Sequence, residues 1–261
     1  MHSEYPKRVV CLAPDAAETV RLLGAADRVV GASDVAAKAL GDGANVVAGF
    51  DDADFGEIRK LNPDVVFGYG DAHAELLADL ARAGFETHVF NQRSVVGVFR
   101  QILLVGGMLG LEADAQALVS VLERRMMGIA EKSAKLPTHP NVFVEEWDDP
   151  IIVAEPWVGE LVEIAGGKDA FNRFRHTVDP SERVVETKDV VEENPDVVVV
   201  AWRGKPYDGA AIQRREGWGE IEAIKRGRVF EIDADTLLQP GPAALNQGLA
   251  ALVEIVEKSV T

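Results

Sequence analysis

Hydrophobic positions along the chain follow two rhythms. Short runs rich in β-branched residues, Arg8-Val9-Val10-Cys11-Leu12, Arg28-Val29-Val30-Gly31, Asp64-Val65-Val66-Phe67 and Thr87-His88-Val89-Phe90, lack polar alternation and predict strands buried on both faces. Helical stretches separate them. Asp15 with Glu18, and Asp54 with Glu57, have the spacing of a capping box, and Gly24 and Gly84 stand where helices should stop. Strand alternating with helix predicts a mostly parallel, helix-covered sheet.

The pattern then starts again. Asn62-Pro63-Asp64-Val65-Val66 returns as Asn194-Pro195-Asp196-Val197-Val198, and Glu18 to Gly24 is echoed by Glu160 to Gly166. Ala83-Gly84 followed by Val89-Phe90-Asn91 parallels Arg226-Gly227 followed by Glu231-Ile232-Asp233, so the echoes keep chain order. Two lobes of one plan are predicted. Between them the stretch from Ser94 to Lys135 has no strand-like run, and Leu111, Ala115, Leu118, Val119, Leu122, Met126 and Ile129 fall at helical spacing. They predict a long helix, closed by Pro137 and Pro140 before Val142-Phe143-Val144 opens the second lobe. The expected organisation is an α/β fold of two Rossmann-like lobes with mostly parallel sheets, residues 1–93 and 137–261, joined through 94–136 by one long interdomain helix. Met126-Met127 reads as lobe packing.

With 261 residues, 47% of them hydrophobic, the chain is long and apolar enough for a sizeable core. Its one cysteine, Cys11, excludes a disulfide scaffold and reads as a buried small hydrophobe. The net charge is −16, and the densest basic pairs, Arg124-Arg125 and Arg214-Arg215, read as solvated helix faces, which argues against nucleic acid or an anionic membrane as partner. The acidic excess would also suit a salt-rich cytosol. No apolar run approaches the ~18 residues that span a bilayer, and Met1 to Arg8 is polar. The chain as written is expected to be cytoplasmic, the alternative being an exported or surface-anchored protein whose leader has been removed.

Ligands in open α/β sheets sit outside the carboxyl ends of the strands. Those ends offer Phe50, Tyr69, Asp71, Phe90 and Asn91 in the first half. In the second they offer Glu145, Glu146 and Trp147, then Trp202 and Arg203, then Asp235 with Gln239 beyond. Trp147, Trp157 and Trp202 lie at or near such ends, and aromatics facing a cleft suit a flat, largely apolar ligand; packing beneath the loops is the competing reading for each. Signatures of hydrolases, nucleotide loops and zinc sites are absent. A metal held by Asp71, His73 and Glu75 is disfavoured, since on a helix the two acids share a face that the imidazole leaves. Glu145 and Glu146, adjacent on a strand, point to opposite faces and read as an exposed pair rather than an acid/base pair. Enzyme signatures are thus mostly absent and no metal centre is expected.

Arg8-Val9-Val10-Cys11-Leu12-Ala13-Pro14 leading to Glu18 and Gly24, Asp27 to Gly31, Leu61 to Val66 and the closing Gly227-Arg228-Val229-Phe230 resemble, in this order and spacing, the solute-binding proteins with a helical backbone. These deliver cobalamin, haem, ferric siderophores and some metals to ABC importers. Glu145-Glu146-Trp147 before Pro150-Ile151, then Trp157-Val158 with Glu160 to Gly167, look most like the cobalamin-binding branch. The resemblance implies a binding protein, not an enzyme, with a corrinoid (cobalamin-like) ligand held between the lobes. Family aromatics fall on Phe50 and Tyr69 and a family acid on Asp235; with the strand-end residues, the candidate ligand-binding set is Phe50, Tyr69, Trp147, Trp157, Trp202, Arg203, Asp235 and Gln239. It further implies an ABC permease as partner, docked through one acid on each lobe. Those positions fall on Gly56 and Lys188, with Glu57 and Asp189 one step later.

The sequence departs from the branch at Gln239, where a basic contact is expected, in the His176 to Glu182 stretch, which has no Trp, and around Asp34-Val35, which has no Tyr. Alternatives are a tetrapyrrole-handling enzyme or chaperone with His73 or Glu146 as base, and a haem or ferric-siderophore receptor. The siderophore version calls for clustered Arg or Tyr, and only Arg203 is placed for that by sequence. For the lead reading, Trp202→Ala and Tyr69→Ala are expected to weaken binding while leaving the melting temperature of the empty protein unchanged.

Overall fold

The computed structural model describes residues 5–41, 43–49, 53–177 and 179–260, with the side chains of Asp71 and Ala72 outside the description. The chain divides into two compact units: one holds residues through Gln92 and Val96–Leu122, the other Arg93–Val95 and everything from Glu123. The predicted linking stretch 94–136 is thus shared between the units.

In the first unit the elements are β1 (Val9–Cys11), α1 (Pro14–Leu22), β2 (Val29–Ser33), α2 (Asp34–Leu40), β3 (Val46–Ala48), α3 (Phe55–Leu61), β4 (Val65–Tyr69), α4 (Gly70–Arg82), β5 (Thr87–Phe90) and α5 (Val95–Leu109), α5 beginning on the last residue of the break. The strands form one parallel sheet in the order β3-β2-β1-β4-β5, with Val9 between Val29 and Val65. Val9, Val10, Cys11, Val66 and Phe67 are wholly buried, which is why these runs show no alternation. Burial pushes the Cys11 thiol well above its usual range.

Helix α6 (Glu112–Ser133, 22 residues) runs from the first unit into the second, the long helix expected from the helical spacing of its apolar positions. Met126 is buried on it while Met127 is 64% exposed, so only one of the pair packs. Helices α5 and α6 approach closely at Gly106, where an added Cβ would lie 2.3 Å from the Ala115 Cβ. Gly106→Ala is expected to lower stability by about 1–3 kcal/mol despite alanine's better helix propensity. A urea midpoint that does not fall would mean that the two helices part at no cost.

The second unit contains β6 (Asn141–Asp148), β7 (Ile151–Val153), α7 (Pro156–Ile164), β8 (Lys168–Asp169), β9 (Val184–Val185), α8 (Thr187–Glu193), β10 (Val197–Val200), α9 (Gly209–Gln213), α10 (Glu222–Lys225), β11 (Val229–Glu231), α11 (Ala234–Leu237) and α12 (Leu249–Val260). Its sheet runs β11-β10-β6-β7-β9, with β8 beside β6. The β11, β10, β6 and β8 pairings are parallel, and β7 joins β6 and β9 antiparallel, so this sheet is mixed.

The sequence repeat has one physical meaning in both units. Asn62 and Asn194 end α3 and α8 in the left-handed region, φ 46° and 44°, which Asn tolerates better than most residues. The following Pro prevents further helix. The Asp then ties down the first strand of its sheet: Asp64 Oδ2 accepts from the Lys7 and Arg8 N–H groups at 2.7 and 2.9 Å, and Asp196 Oδ2 accepts from Asn141 N–H at 2.8 Å.

Of the predicted capping acids, Asp54 caps α3, accepting from the Gly56 and Glu57 N–H groups. Asp15 does not cap. Pro14 takes the first helical position after Ala13, so Asp15 falls inside the first turn and is turned into the interior.

Candidate functional site

In the first unit β4 passes directly into α4 at Gly70, whose φ of 56° permits the abrupt turn. Tyr69, the last residue of β4, is half-buried. Its N–H donates to His73 Nδ1 at 3.1 Å, and its hydroxyl donates to the Gln92 carbonyl at 3.4 Å. Gln92 Nε2 in turn donates to Asp15 Oδ2 at 2.7 Å. Burial pushes the Asp15 carboxyl up to about 6, against the lowering effect of the Gln92 hydrogen bond. His73, the candidate base of the alternative enzyme reading, is wholly buried and accepts from the Tyr69 N–H at the strand-to-helix turn. Phe50 lies outside the described residues, as does the Asp71 side chain. Among the described residues no three His, Cys, Asp or Glu side chains are grouped to hold a metal ion.

In the second unit the carboxyl end of β6 places Glu145 and Glu146 on opposite faces, as strand geometry requires, but neither is an exposed acid. Glu145 is wholly buried. Both its oxygens meet Arg215, at 2.5 and 2.9 Å, and it accepts from Trp202 Nε1 at 2.8 Å. Burial raises the Glu145 carboxyl, and Arg215 opposes this. Glu146 pairs with Arg183 at 2.6 Å, and Arg183, wholly buried, also donates to the Val153 carbonyl.

The aromatic residues of this unit divide by exposure. Trp157 is wholly buried with its Nε1 donating to Glu155 Oε2 at 3.0 Å, which makes it a packing residue rather than a lining one. Trp202 is 7% exposed and belongs to a core cluster with Phe143, Phe171 and Trp218. This corrects the expectation that Trp202→Ala leaves the melting temperature unchanged, since truncating a buried aromatic leaves a cavity. Trp147 is only half-buried, its Nε1 donating to the Asp149 carbonyl. The Lys205 ammonium lies 5.2 Å from the Trp202 ring centre and 5.9 Å from that of Trp147, and pairs with Asp148; Tyr207 lies 6.4 Å from Trp202. Beyond β10, Arg203 donates to the Leu238 carbonyl at 2.7 Å and stands 4.0 Å from Asp235, which accepts from Gln239 Nε2 at 3.3 Å. The structure therefore brings Arg203, Asp235 and Gln239 together.

A cavity of about 150 Å³ opens at the start of α7, lined by Arg93, Glu155, Pro156, Arg175, His176 and Thr177. Arg93 stands 3.7 Å from Glu155, and Arg175 pairs with Glu163. Burial, and secondarily the charge of Glu146, raise the Glu155 carboxyl against the pull of Arg93 and Arg183. Sequence reasoning missed Arg93 because its acid lies tens of residues away, and Arg175 because no strand end marks it. Arg214-Arg215 reads as a solvated pair, yet only Arg214 is well exposed, at 72%.

Glu57 and Asp189, the acids nearest the positions where docking is expected, occupy equivalent places, each three residues after the cap of its helix. Glu57 on α3 pairs with Lys60, whereas Asp189 on α8 accepts from the Glu186 N–H in a capping box.

The family model described as periplasmic binding protein matches residues 9–236. The chain is 28% identical over 266 residues, 96% of this chain and 80% of the relative, to the uncharacterized ABC transporter substrate-binding lipoprotein YvrC of Bacillus subtilis. Its fold matches that of the periplasmic heme-binding protein RhuT from Roseiflexus sp. RS-1, with a TM-score of 0.83, 22% identity and coverage of 98% and 99% of the two chains. The periplasmic vitamin B12 binding protein BtuF of Vibrio cholerae gives a TM-score of 0.75 at 20% identity, with 97% and 98% covered. With the Asn-Pro-Asp repeat, the two α/β units and the long helix shared by them, this chain belongs to the periplasmic binding protein family, in its helical-backbone class.

Proposed function

We propose that the chain is the receptor component of an ABC importer and takes a tetrapyrrole-type ligand, a corrinoid first. The observation that carries this reading is aromatic exposure at strand ends within each unit taken by itself: Trp147 and Tyr207 beside Trp202 in the second, and Tyr69 in the first. Half-exposed rings with a few polar neighbours, here Arg203, Asp235 and Gln239, suit a broad, flat, largely apolar molecule. RhuT and BtuF are named for binding heme and vitamin B12, two molecules of that kind. A catalytic role for His73 or Glu146 is disfavoured because each is held in a hydrogen bond or ion pair that stabilises its own unit.

The test is a visible-range titration with cyanocobalamin and, separately, haemin, followed by desalting. One equivalent of colour retained with cyanocobalamin supports the corrinoid. Trp147→Ala and Tyr69→Ala are expected to weaken retention at least about tenfold while leaving folding intact, the loss associated with a stacked aromatic contact. Colour lost with both macrocycles sinks the reading. Haem or another acid-bearing iron chelate is the second reading, favoured by Arg93 and Arg175 at one cavity, a clustering absent from the sequence pattern.

A further inference from the structure

We infer that the cavity at the start of α7 is a subsite for a carboxylate carried by the ligand, with Arg175 and Arg93 supplying the opposing charge. The inference rests on the receptor reading above and names the ligand class it admits. The walls hold two guanidinium groups, an imidazole and one acid, Glu155, with Arg93 beside Glu155 and Arg175 paired with Glu163 behind the wall. Glu155 is already engaged by Trp157 Nε1 and by the neighbouring Arg93. Arg175 lines the cavity, and its Nε–H is buried with no hydrogen-bond partner among the described residues, while its Nη2 is taken by Glu163. Deeper in the same unit, wholly buried Arg183 likewise leaves Nε and Nη2 without partners among the described residues, so donors exceed acceptors in this corner. Thr177 adds a hydroxyl to the lining.

Volume decides what part of a ligand can enter. About 150 Å³ accommodates a short acid arm of a few heavy atoms but no macrocycle, given that one water occupies roughly 30 Å³ of liquid. An amide or ester arm offers the guanidinium groups one neutral carbonyl oxygen in place of two charged ones, so its hydrogen bonds lack charge assistance. The cavity therefore discriminates between a ligand with free carboxylates and one whose arms are amidated or esterified.

The experiment compares haemin with haemin dimethyl ester, and the monocarboxylic acid of cyanocobalamin with cyanocobalamin itself, in the native chain and in Arg175→Gln and Arg175→Lys. On whichever macrocycle binds, the free acid is expected to bind about tenfold more tightly, the size of one charge-assisted contact. Arg175→Gln should abolish that preference without weakening the ester or amide, and Arg175→Lys should restore part of it. Equal binding of acid and derivative, or a preference that survives Arg175→Gln, overturns the inference and leaves the receptor reading standing. If neither macrocycle binds, the receptor reading falls and the subsite is read separately, from the Arg175 Nε–H resonance titrated with acetate, benzoate and acetamide. A saturable shift with the two acids alone supports the subsite; no shift, or an equal one with acetamide, overturns it.

Discussion

Arg215→Ala is expected to destabilise the second unit by about 3–5 kcal/mol near neutral pH, because it leaves a wholly buried carboxylate, Glu145, without its bidentate partner. Glu145 retains only the Trp202 Nε1–H, a neutral donor. The pH dependence has a definite sign. With Arg215 gone, burial, aided by the charge of Asp148 and opposed only by the Trp202 hydrogen bond, holds the Glu145 carboxyl above its ordinary value, so the variant's deficit shrinks as pH falls and the acid takes up a proton. Denaturant unfolding should show the double variant Glu145→Gln with Arg215→Ala recovering a large part of the loss, since no charge then remains inside. A single variant that costs less than about 1 kcal/mol at neutral pH would mean that water reaches Glu145 and that the pair is a surface one.

Asp15→Asn should do the opposite in the first unit and stabilise it. The folded-state value of about 6 lies above the ordinary 3.8, so between those values the folded protein binds more protons than the unfolded chain. Stability contributed by this group is greatest below about pH 4 and falls as pH rises through 6, by about 3 kcal/mol in all. Asparagine avoids the ionisation and still offers an oxygen to Gln92 Nε2. Urea midpoints for the two proteins should therefore coincide near pH 4 and diverge toward pH 7 in favour of Asn. Curves that stay parallel across this range would show that Asp15 ionises as freely in the fold as outside it.

Asp15, in the first turn of α1, is linked to Tyr69 through Gln92. Asp15 holds Gln92, whose carbonyl accepts from Tyr69, so the acid positions an aromatic that the receptor reading places against the ligand.

Short-range physics governs the features that were legible in the sequence. The strands declared themselves because residues such as Val66 and Phe67 are buried on both faces, and α6 because its apolar positions recur every turn. The repeat was legible because Asn62-Pro63-Asp64 and Asn194-Pro195-Asp196 each carry a local conformation that few other triplets satisfy. Asp15 misled because a proline just before it moved the helix start, a shift that spacing alone does not reveal. Of the candidate site, one grouping was legible. Arg203, Asp235 and Gln239 were found from their places just past the ends of strands, and they do meet. Trp157 and Trp202 fell at strand ends too, but chain position does not tell an inward ring from an outward one. Glu145 with Arg215, and Glu146 with Arg183, were invisible because their partners lie 70 and 37 residues away.

The aspartate ties at Asp64 and Asp196 also bear on how the chain finds its fold. Each fastens the opening strand of its own sheet to a turn 57 or 56 residues downstream in the first unit and 55 in the second. The entropy of closing a loop grows only with the logarithm of its length, so the two closures face nearly the same search. Neither half has a kinetic head start, and each carries its own register mark. The opening strand of each half is thus fixed by a residue of that half.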